Sequence, residues 1–345
     1  MPDQPLRAVL FGAGDFGPIL SRYIEQDAEL VAICDPCEKA RTNCLERIAK
    51  PLPQFADPST AMEKLDFEIA LIASPNHTHR DLTVAAAAAG KHVFCEKAMA
   101  LSVPECWDMV LACENADVKL MVGHKRRLRP PWHRMIQLRQ QLGQVRAMTS
   151  CAYHDARVYD FGGWWTESQG CGGTFDVIGV HIIDWMRAMA GDVRSVRALA
   201  APQIDDRYDF PDTAHLTMTF DSGAIGTLTV SLSAPPWQFR EAGGPMVVCA
   251  HGGMRFVPAM DHLDLYWQHQ DADTPTHERF DDLGFDHAYT TELGDFVRWI
   301  DGDTSPCLTW REGLRCVEVM EAAMRSMQEH GRVVELPLYP ELEPH

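Results

Sequence analysis

One stretch limits the folds open to this chain more than any other. Arg7-Ala8-Val9-Leu10-Phe11 is a short apolar run, the pattern of a buried strand. Gly12-Ala13-Gly14-Asp15-Phe16-Gly17 follows at once, and Ile19 to Gln26 reads as a helix. Leu30-Val31-Ala32-Ile33-Cys34 is a second strand, ended by Asp35, eighteen residues after Gly17. Each glycine has a task. The first allows a tight turn, the second lets backbone approach a pyrophosphate, and the third lets the helix pack on the strand. The helix N-terminus offers free N–H groups and the positive end of its dipole to phosphates. Asp35 stands where a carboxylate binds adenosine ribose hydroxyls. A lone G-x-G-x-x-G says little, but this context makes it a dinucleotide-binding unit with Gly12, Gly14, Asp15, Phe16 and Asp35 at the cofactor. Asp35 repels a 2′-phosphate. Arg41, the nearest clamp for one, lies within the next helix, so NAD is expected over NADP.

Strands and helices go on alternating. Phe67 to Ala73 reads as a strand, followed by Ser74-Pro75-Asn76-His77-Thr78-His79 and an alanine-rich helix, Asp81 to Ala89, stopped by Gly90. Val93-Phe94-Cys95 is a strand with Glu96 and Lys97 at its carboxyl end. Val103 to Asn115 is a helix, and Lys119 to Gly123 a further strand. Such alternation implies a parallel sheet with helices on both faces. Ligands of such sheets bind outside the carboxyl ends of the strands. An isolated Glu-Lys pair reads as solvated surface, but this one is aimed at a bound ligand.

From residue 193 the pattern changes. Val193 to Ala200, Asp212 to Phe220, Gly223 to Ser233, Pro245 to Ala250 and Met254 to Pro258 read as strands with no helix between them, hence an antiparallel sheet. Thr- and Ser-rich strands such as Thr213 to Thr219 suit a sheet with one face under helices and one free. Trp132 to Leu142 reads as a linking helix, Ala147 to Tyr153 as a strand, and Thr290 to Ile300 and Glu312 to Glu329 as helices. The expected fold class is therefore α/β: an N-terminal doubly wound parallel sheet of the Rossmann type, residues 1–125, and a C-terminal α+β domain with a large, mostly antiparallel open sheet, residues 126–345.

Composition narrows the partners. A formal charge of −18 speaks against nucleic acid, which needs basic stripes; Lys125 to Arg129 is a short local exception. No apolar run approaches transmembrane length, and Met1 to Leu6 lacks the basic and apolar regions of a secretory leader. Eleven scattered cysteines suit a reducing cytoplasm rather than a disulfide framework. Cys34-Asp35-Pro36-Cys37 has no second pair at zinc spacing, and His251, His262, His269, His277 and His287 match no metal-ligand pattern, so no metal is expected.

Four motifs occur in order: Gly12-Ala13-Gly14-Asp15-Phe16-Gly17, Pro75-Asn76-x-x-His79, Gly90-Lys91-His92-Val93-x-x-Glu96-Lys97, and Val122-Gly123-His124-Lys125-Arg126-Arg127. Together they resemble the glucose–fructose oxidoreductase / inositol dehydrogenase / MocA family of NAD(P)-dependent oxidoreductases. The resemblance implies that Lys97 is a proton-transfer group beside a nicotinamide, and that Ser74, Pro75, Asn76, His79 and Glu96 help to form the cofactor site. Gly170-Cys171-Gly172-Gly173-Thr174-Phe175-Asp176, leading into a helix from Val177 to Ala190, resembles the family's glycine-rich helix start, which places the active-site histidine at His181 with Asp184 one turn on. It also implies a homo-oligomer formed through the C-terminal sheet.

The chain departs from the family twice. Many relatives carry Asp four residues before the histidine, on one helical face with it. Here that position is Val177 and the acid is Asp176. In a regular helix Asp176 lies about 500° of turn from His181, against about 400° for the usual pair, so it points elsewhere unless the first turn is irregular. Capping the helix competes with a substrate contact. Ala98 stands where relatives usually have Pro, and a cis bond is costly before Ala.

The expected activity is hydride transfer between nicotinamide and a carbon of a sugar, polyol or related cyclic alcohol, with Lys97 and His181 in proton transfer. Trp164 and Trp165 offer flat faces for a sugar ring, and Tyr153, Arg127 and Asp176 are candidate hydroxyl partners. Two rival readings stand beside it: transient oxidation by tightly held NAD that enables elimination or glycoside cleavage, and a non-enzymatic NAD-binding regulator.

Overall fold

The computed structural model describes residues 5–155, 163–234, 244–259 and 261–343. The chain divides into two compact units, 1–124 with 289–314 and 125–288 with 315–345.

In the first unit, β1 (Arg7–Phe11), α1 (Gly17–Ile24), β2 (Glu29–Cys34), α2 (Glu38–Ile48), β3 (Gln54–Phe55), α3 (Pro58–Lys64), β4 (Ile69–Ile72), α4 (His79–Ala88), β5 (His92–Glu96), α5 (Val103–Asn115) and β6 (Leu120–Gly123) follow one another. The six strands are parallel, in the order β3-β2-β1-β4-β5-β6. The order reverses between β1 and β4, and a ligand crevice opens outside the strand ends at such a switch point. Ile69, Ala70, Leu71 and Ile72 are fully buried. The central strands are thus covered on both faces, which is why they read as unbroken apolar runs. Helix starts follow local chemistry. Asp57 Oδ2 accepts from the Thr60 amide at 2.7 Å to cap α3, and Ser102 Oγ accepts from the Glu105 amide at 3.4 Å to cap α5.

A segment far along the sequence completes this unit. Tyr289 stacks on Tyr23 with ring centroids 5.3 Å apart, Phe296 meets Phe94 edge-on at 5.8 Å, and Trp310 packs on Trp107 at 5.7 Å. A Cβ at Gly313 would come 2.7 Å from Val122 Cγ2, so only glycine lets the chain pass there.

The second unit holds α6 (Pro130–Leu142), β7 (Val145–Tyr153), α7 (Ser168–Cys171), α8 (Val180–Ala190), β8 (Val193–Ala200), β9 (Thr213–Phe220), β10 (Ile225–Ser231), β11 (Met246–Cys249), β12 (Gly252–Pro258), β13 (Leu263–His269) and β14 (Thr276–Phe280). Then come α9 (Phe285–Ile300) and α10 (Trp310–Gln328), each shared in sequence between the two units, and β15 (Val334–Glu335). Nine strands form one sheet, β14-β13-β12-β11-β7-β10-β9-β8-β15, antiparallel except for β7 beside β10. The expected large, mostly antiparallel sheet is what forms. Along β9, Leu216, Met218 and Phe220 are fully buried, while His215, Thr217 and Thr219 lie on the other face. That face carries Thr227 Oγ1 hydrogen-bonded to Thr149 Oγ1 at 3.1 Å, and Ile225, Met246 and Val248 are each about half exposed. Sequence reading did not find β13 and β14. β14 is the edge strand and carries His277, Glu278 and Arg279, as suits a solvated edge, while in β13 beside it Asp264 and Gln268 interrupt the apolar pattern around buried Leu263 and Leu265.

Candidate functional site

The glycine loop is built as its spacing implied. Gly12 ends β1 with φ +100°, and a Cβ there would sit 2.5 Å from the Ser74 amide nitrogen. A Cβ on Gly17 would meet the Gly12 carbonyl at 2.5 Å, so α1 starts hard against the turn. At Gly14, by contrast, no atom lies within 4 Å of an added Cβ. The middle glycine faces open space, which is the room a pyrophosphate needs beside backbone N–H groups.

Asp35 reaches back to this loop. Its Oδ2 accepts from the Ala13 amide at 2.8 Å and its Oδ1 from the Cys37 amide at 2.8 Å. The residues therefore fit a dinucleotide: open backbone at Gly14 and a carboxylate fixed beside it. Sequence reading missed how near Arg41 comes. Its Nη1 donates to the Asp35 carbonyl at 2.6 Å. Asp15 is exposed and pairs with Arg47 at 3.3 Å, and Phe16 is half-buried just before α1. Cys34 is buried, and burial pushes its thiol up to about 12, opposite to the shift of a reactive cysteine.

The loops after β4 and β5 are fastened together. Ser74 Oγ lies 2.5 Å from Thr78 Oγ1, and Thr78 Oγ1 donates to the Pro75 carbonyl at 2.8 Å. Asn76 is buried at the start of a single 3₁₀ turn. His79 is fully buried, with Nδ1 2.8 Å from the Ala98 carbonyl oxygen and Nε2 2.8 Å from the Ser74 carbonyl oxygen. Glu96 is buried at the end of β5, and its Oε2 accepts from the Lys97 amide at 3.2 Å. The Lys97–Ala98 peptide is cis although residue 98 is not proline. Lys97 itself is half-buried.

In the second unit the helix that carries His181 does not start regularly. Phe175–Gly179 is one turn of π-helix, closed by a bond from the Val180 amide to the Phe175 carbonyl, and α8 follows. An α-helical turn closes over four residues and this one over five. Asp176 and His181 therefore fall one turn apart on one face, despite the extra residue between them. The N-cap position belongs to Thr174, so Asp176 lies inside the turn. Asp176 is 5% exposed and its carboxylate rests on Gly172, where a Cβ would come 2.4 Å from Oδ1. His181 is half-buried.

Arg127, expected as a hydroxyl partner, is engaged elsewhere. Its Nε donates to Asp184 Oδ2 at 2.8 Å and its Nη2 to Oδ1. Trp164 and Trp165 stand edge to face, 5.9 Å between centroids, in the turn Gly163–Thr166, both half-buried. The adjoining Phe161 and Gly162 lie outside the described residues. Tyr153, at the end of β7, lines a cavity of about 550 Å³ with Trp132, Ile178, Ile182, Phe256 and Phe285. Its walls come from separate elements, so no single stretch of the chain announces this cavity. Among the histidines, His262 and His277 both pair with Asp264, at 3.4 and 2.8 Å, and His277 stacks on Tyr266.

Comparison with known proteins identifies the family. The profile of an oxidoreductase family with an NAD-binding Rossmann fold matches residues 6–124, and that of the GFO/IDH/MocA C-terminal domain matches residues 133–253. An uncharacterised oxidoreductase of Streptococcus pneumoniae is 36% identical over 115 residues, a match that covers 33% of this chain and only 30% of that protein. Myo-inositol 2-dehydrogenase of Thermotoga maritima is 24% identical over 343 residues, covering 95% of this chain and 98% of the relative. The WlbA dehydrogenase of Bordetella pertussis, solved in complex with NADH and UDP-GlcNAcA, superposes with a TM-score of 0.84 at 25% identity over 98% of this chain and 99% of that one. This chain belongs to the glucose–fructose oxidoreductase / inositol dehydrogenase / MocA family, as an NAD(P)-binding oxidoreductase with that family's C-terminal domain.

Proposed function

We propose that the protein is an NAD-dependent dehydrogenase acting on a secondary alcohol of a sugar, polyol or related cyclic alcohol, with Lys97 and His181 in proton transfer. The observation that carries this reading is Lys97 at the carboxyl end of β5, in the sheet whose β1 ends in the glycine loop. A bound nicotinamide supplies the hydride acceptor. The chain supplies the rest. Backbone N–H groups around Gly14 hold the pyrophosphate, and Asp35 accepts from ribose hydroxyls and repels a 2′-phosphate. The Lys97 amine takes the proton of the substrate hydroxyl, and the His181 imidazole serves as the second proton-transfer group. Asp176, one turn from His181, supports the imidazole or a second hydroxyl.

The substrate class draws on the relatives: one oxidises myo-inositol by name, and another was solved with a nucleotide sugar acid. Association of copies through the Thr-lined face of the large sheet, with half-exposed Ile225, Met246 and Val248, completes the proposal.

The test is NADH formation, followed by absorbance, with a panel of inositols, sugars and sugar acids and with NAD, then NADP. Turnover with one class and NAD supports the reading. NAD binding without turnover on any of them would overturn it, and would favour transient redox chemistry or a regulator.

A further inference from the structure

His79 spans the carboxyl ends of two neighbouring strands. Ser74 follows β4 and Ala98 follows β5, which pair directly, and the ring touches the carbonyl oxygen of each at 2.8 Å. Carbonyl oxygens only accept, and a neutral imidazole carries a single N–H. The two contacts are therefore not equivalent: at any moment a neutral ring donates to one oxygen and turns a lone pair to the other. The contact with Ala98 bears on Lys97. On the amino side of Lys97, its own amide is held by Glu96 Oε2 at 3.2 Å. On the carboxyl side, the next residue is held by His79 Nδ1. The backbone that carries the Lys97 side chain is thus fixed from both directions, by a strand end and by a buried ring on another element.

We propose that His79 is a positioning residue for Lys97, acting through the hydrogen bond from Nδ1 to the Ala98 carbonyl, while Nε2 faces the Ser74 carbonyl. Its catalytic meaning rests on the role proposed above for Lys97; the positioning itself does not.

Asn and Gln separate the two contacts. The amide nitrogen of Asn falls near the place of Nδ1, and that of Gln near Nε2. His79→Asn keeps a donor for Ala98, and His79→Gln loses it and places a donor at Ser74 instead. The readout is the NMR spectrum of the full chain with its lysines reductively ¹³C-dimethylated, the Lys97 resonance being the one lost in Lys97→Arg. In His79→Asn the Lys97 resonance and its titration midpoint stay as in the unsubstituted protein. In His79→Gln the midpoint moves by about half a pH unit or more, the scale on which a changed surrounding acts on an amine. Equal behaviour of the two variants, whether no shift, the same shift or the same loss of folded protein, overturns the proposal, and so does the reverse order. Full turnover in Lys97→Ala would instead remove the catalytic role of Lys97 and leave the positioning result standing.

Discussion

Arg127 grips Asp184 through both carboxylate oxygens, and Asp184 is fully buried. The pair ties the turn Lys125–Leu128 to α8, three residues beyond His181. A buried ion pair that loses one partner leaves an uncompensated charge. Arg127→Leu or Asp184→Ala is therefore expected to lower the unfolding free energy by about 3–5 kcal/mol in urea titrations. Arg127→Lys is also destabilised, because an ammonium lacks the planar fork. Stability unchanged in all three would show that the pair is not held in solution.

The first two glycines of the loop separate folding from binding. Gly12→Ala forces a Cβ to within 2.5 Å of Ser74 at a positive φ, and is expected to cost about 2 kcal/mol of stability. Gly14→Ala meets no protein atom. It should melt as the unsubstituted protein does, yet bind NAD about tenfold more weakly, or 1.4 kcal/mol, by titration calorimetry.

Asp35 decides between the two cofactors. NAD is expected to bind more tightly than NADP. Asp35→Ser removes the repulsion of a 2′-phosphate and leaves Arg41 close by. That variant should gain about tenfold or more in NADP affinity while losing NAD affinity. Tighter NADP binding by the unsubstituted protein would contradict the assignment.

Lys97→Ala should keep its affinity for NAD and lose about two to four powers of ten in turnover, the scale of general acid–base catalysis. Stopped-flow measurement of NADH formation separates this from slow product release.

His79 gives the fold a dependence on pH. Burial pushes its imidazole below the ordinary value of 6.5, against the opposing pull of the Ser74 and Ala98 carbonyls and of Glu96. A histidine with a lowered folded value binds fewer protons folded than unfolded. Its contribution is therefore full above 6.5 and falls away as the pH drops through the folded value. The difference in Tm between the unsubstituted protein and His79→Asn, followed from pH 7 downward, should shrink across that window. A difference that stays constant would show that His79 does not titrate on unfolding.

The nucleotide half of the site was legible because its parts lie close together along the chain. Strand, three glycines, helix and Asp35 form one local unit, and each position answers to turn geometry or packing within about thirty residues. Burial on both faces made β1, β2, β4 and β5 readable as apolar runs. The polar edge strand β14 and its neighbour β13 carried no such signal, since what holds them is pairing with adjacent strands rather than their own pattern.

Asp176 shows most plainly where the sequence stops. Counted along a regular helix, it points away from His181. The π turn at Phe175–Gly179 restores the alignment, with the Asp176 carboxylate packed against Gly172. The Arg127–Asp184 pair joins residues 57 apart, and Tyr289 to Leu314 returns to the first unit after the whole of β7 to β14. The sequence by itself determined the dinucleotide fold, the family and the residue types at the strand ends. Tertiary structure alone decided which of those residues are free to face a ligand and which are engaged by one another. Periodicity and spacing report a residue's local conformation and burial, whereas the partner of a polar side chain is set by backbone brought together from distant parts of the chain.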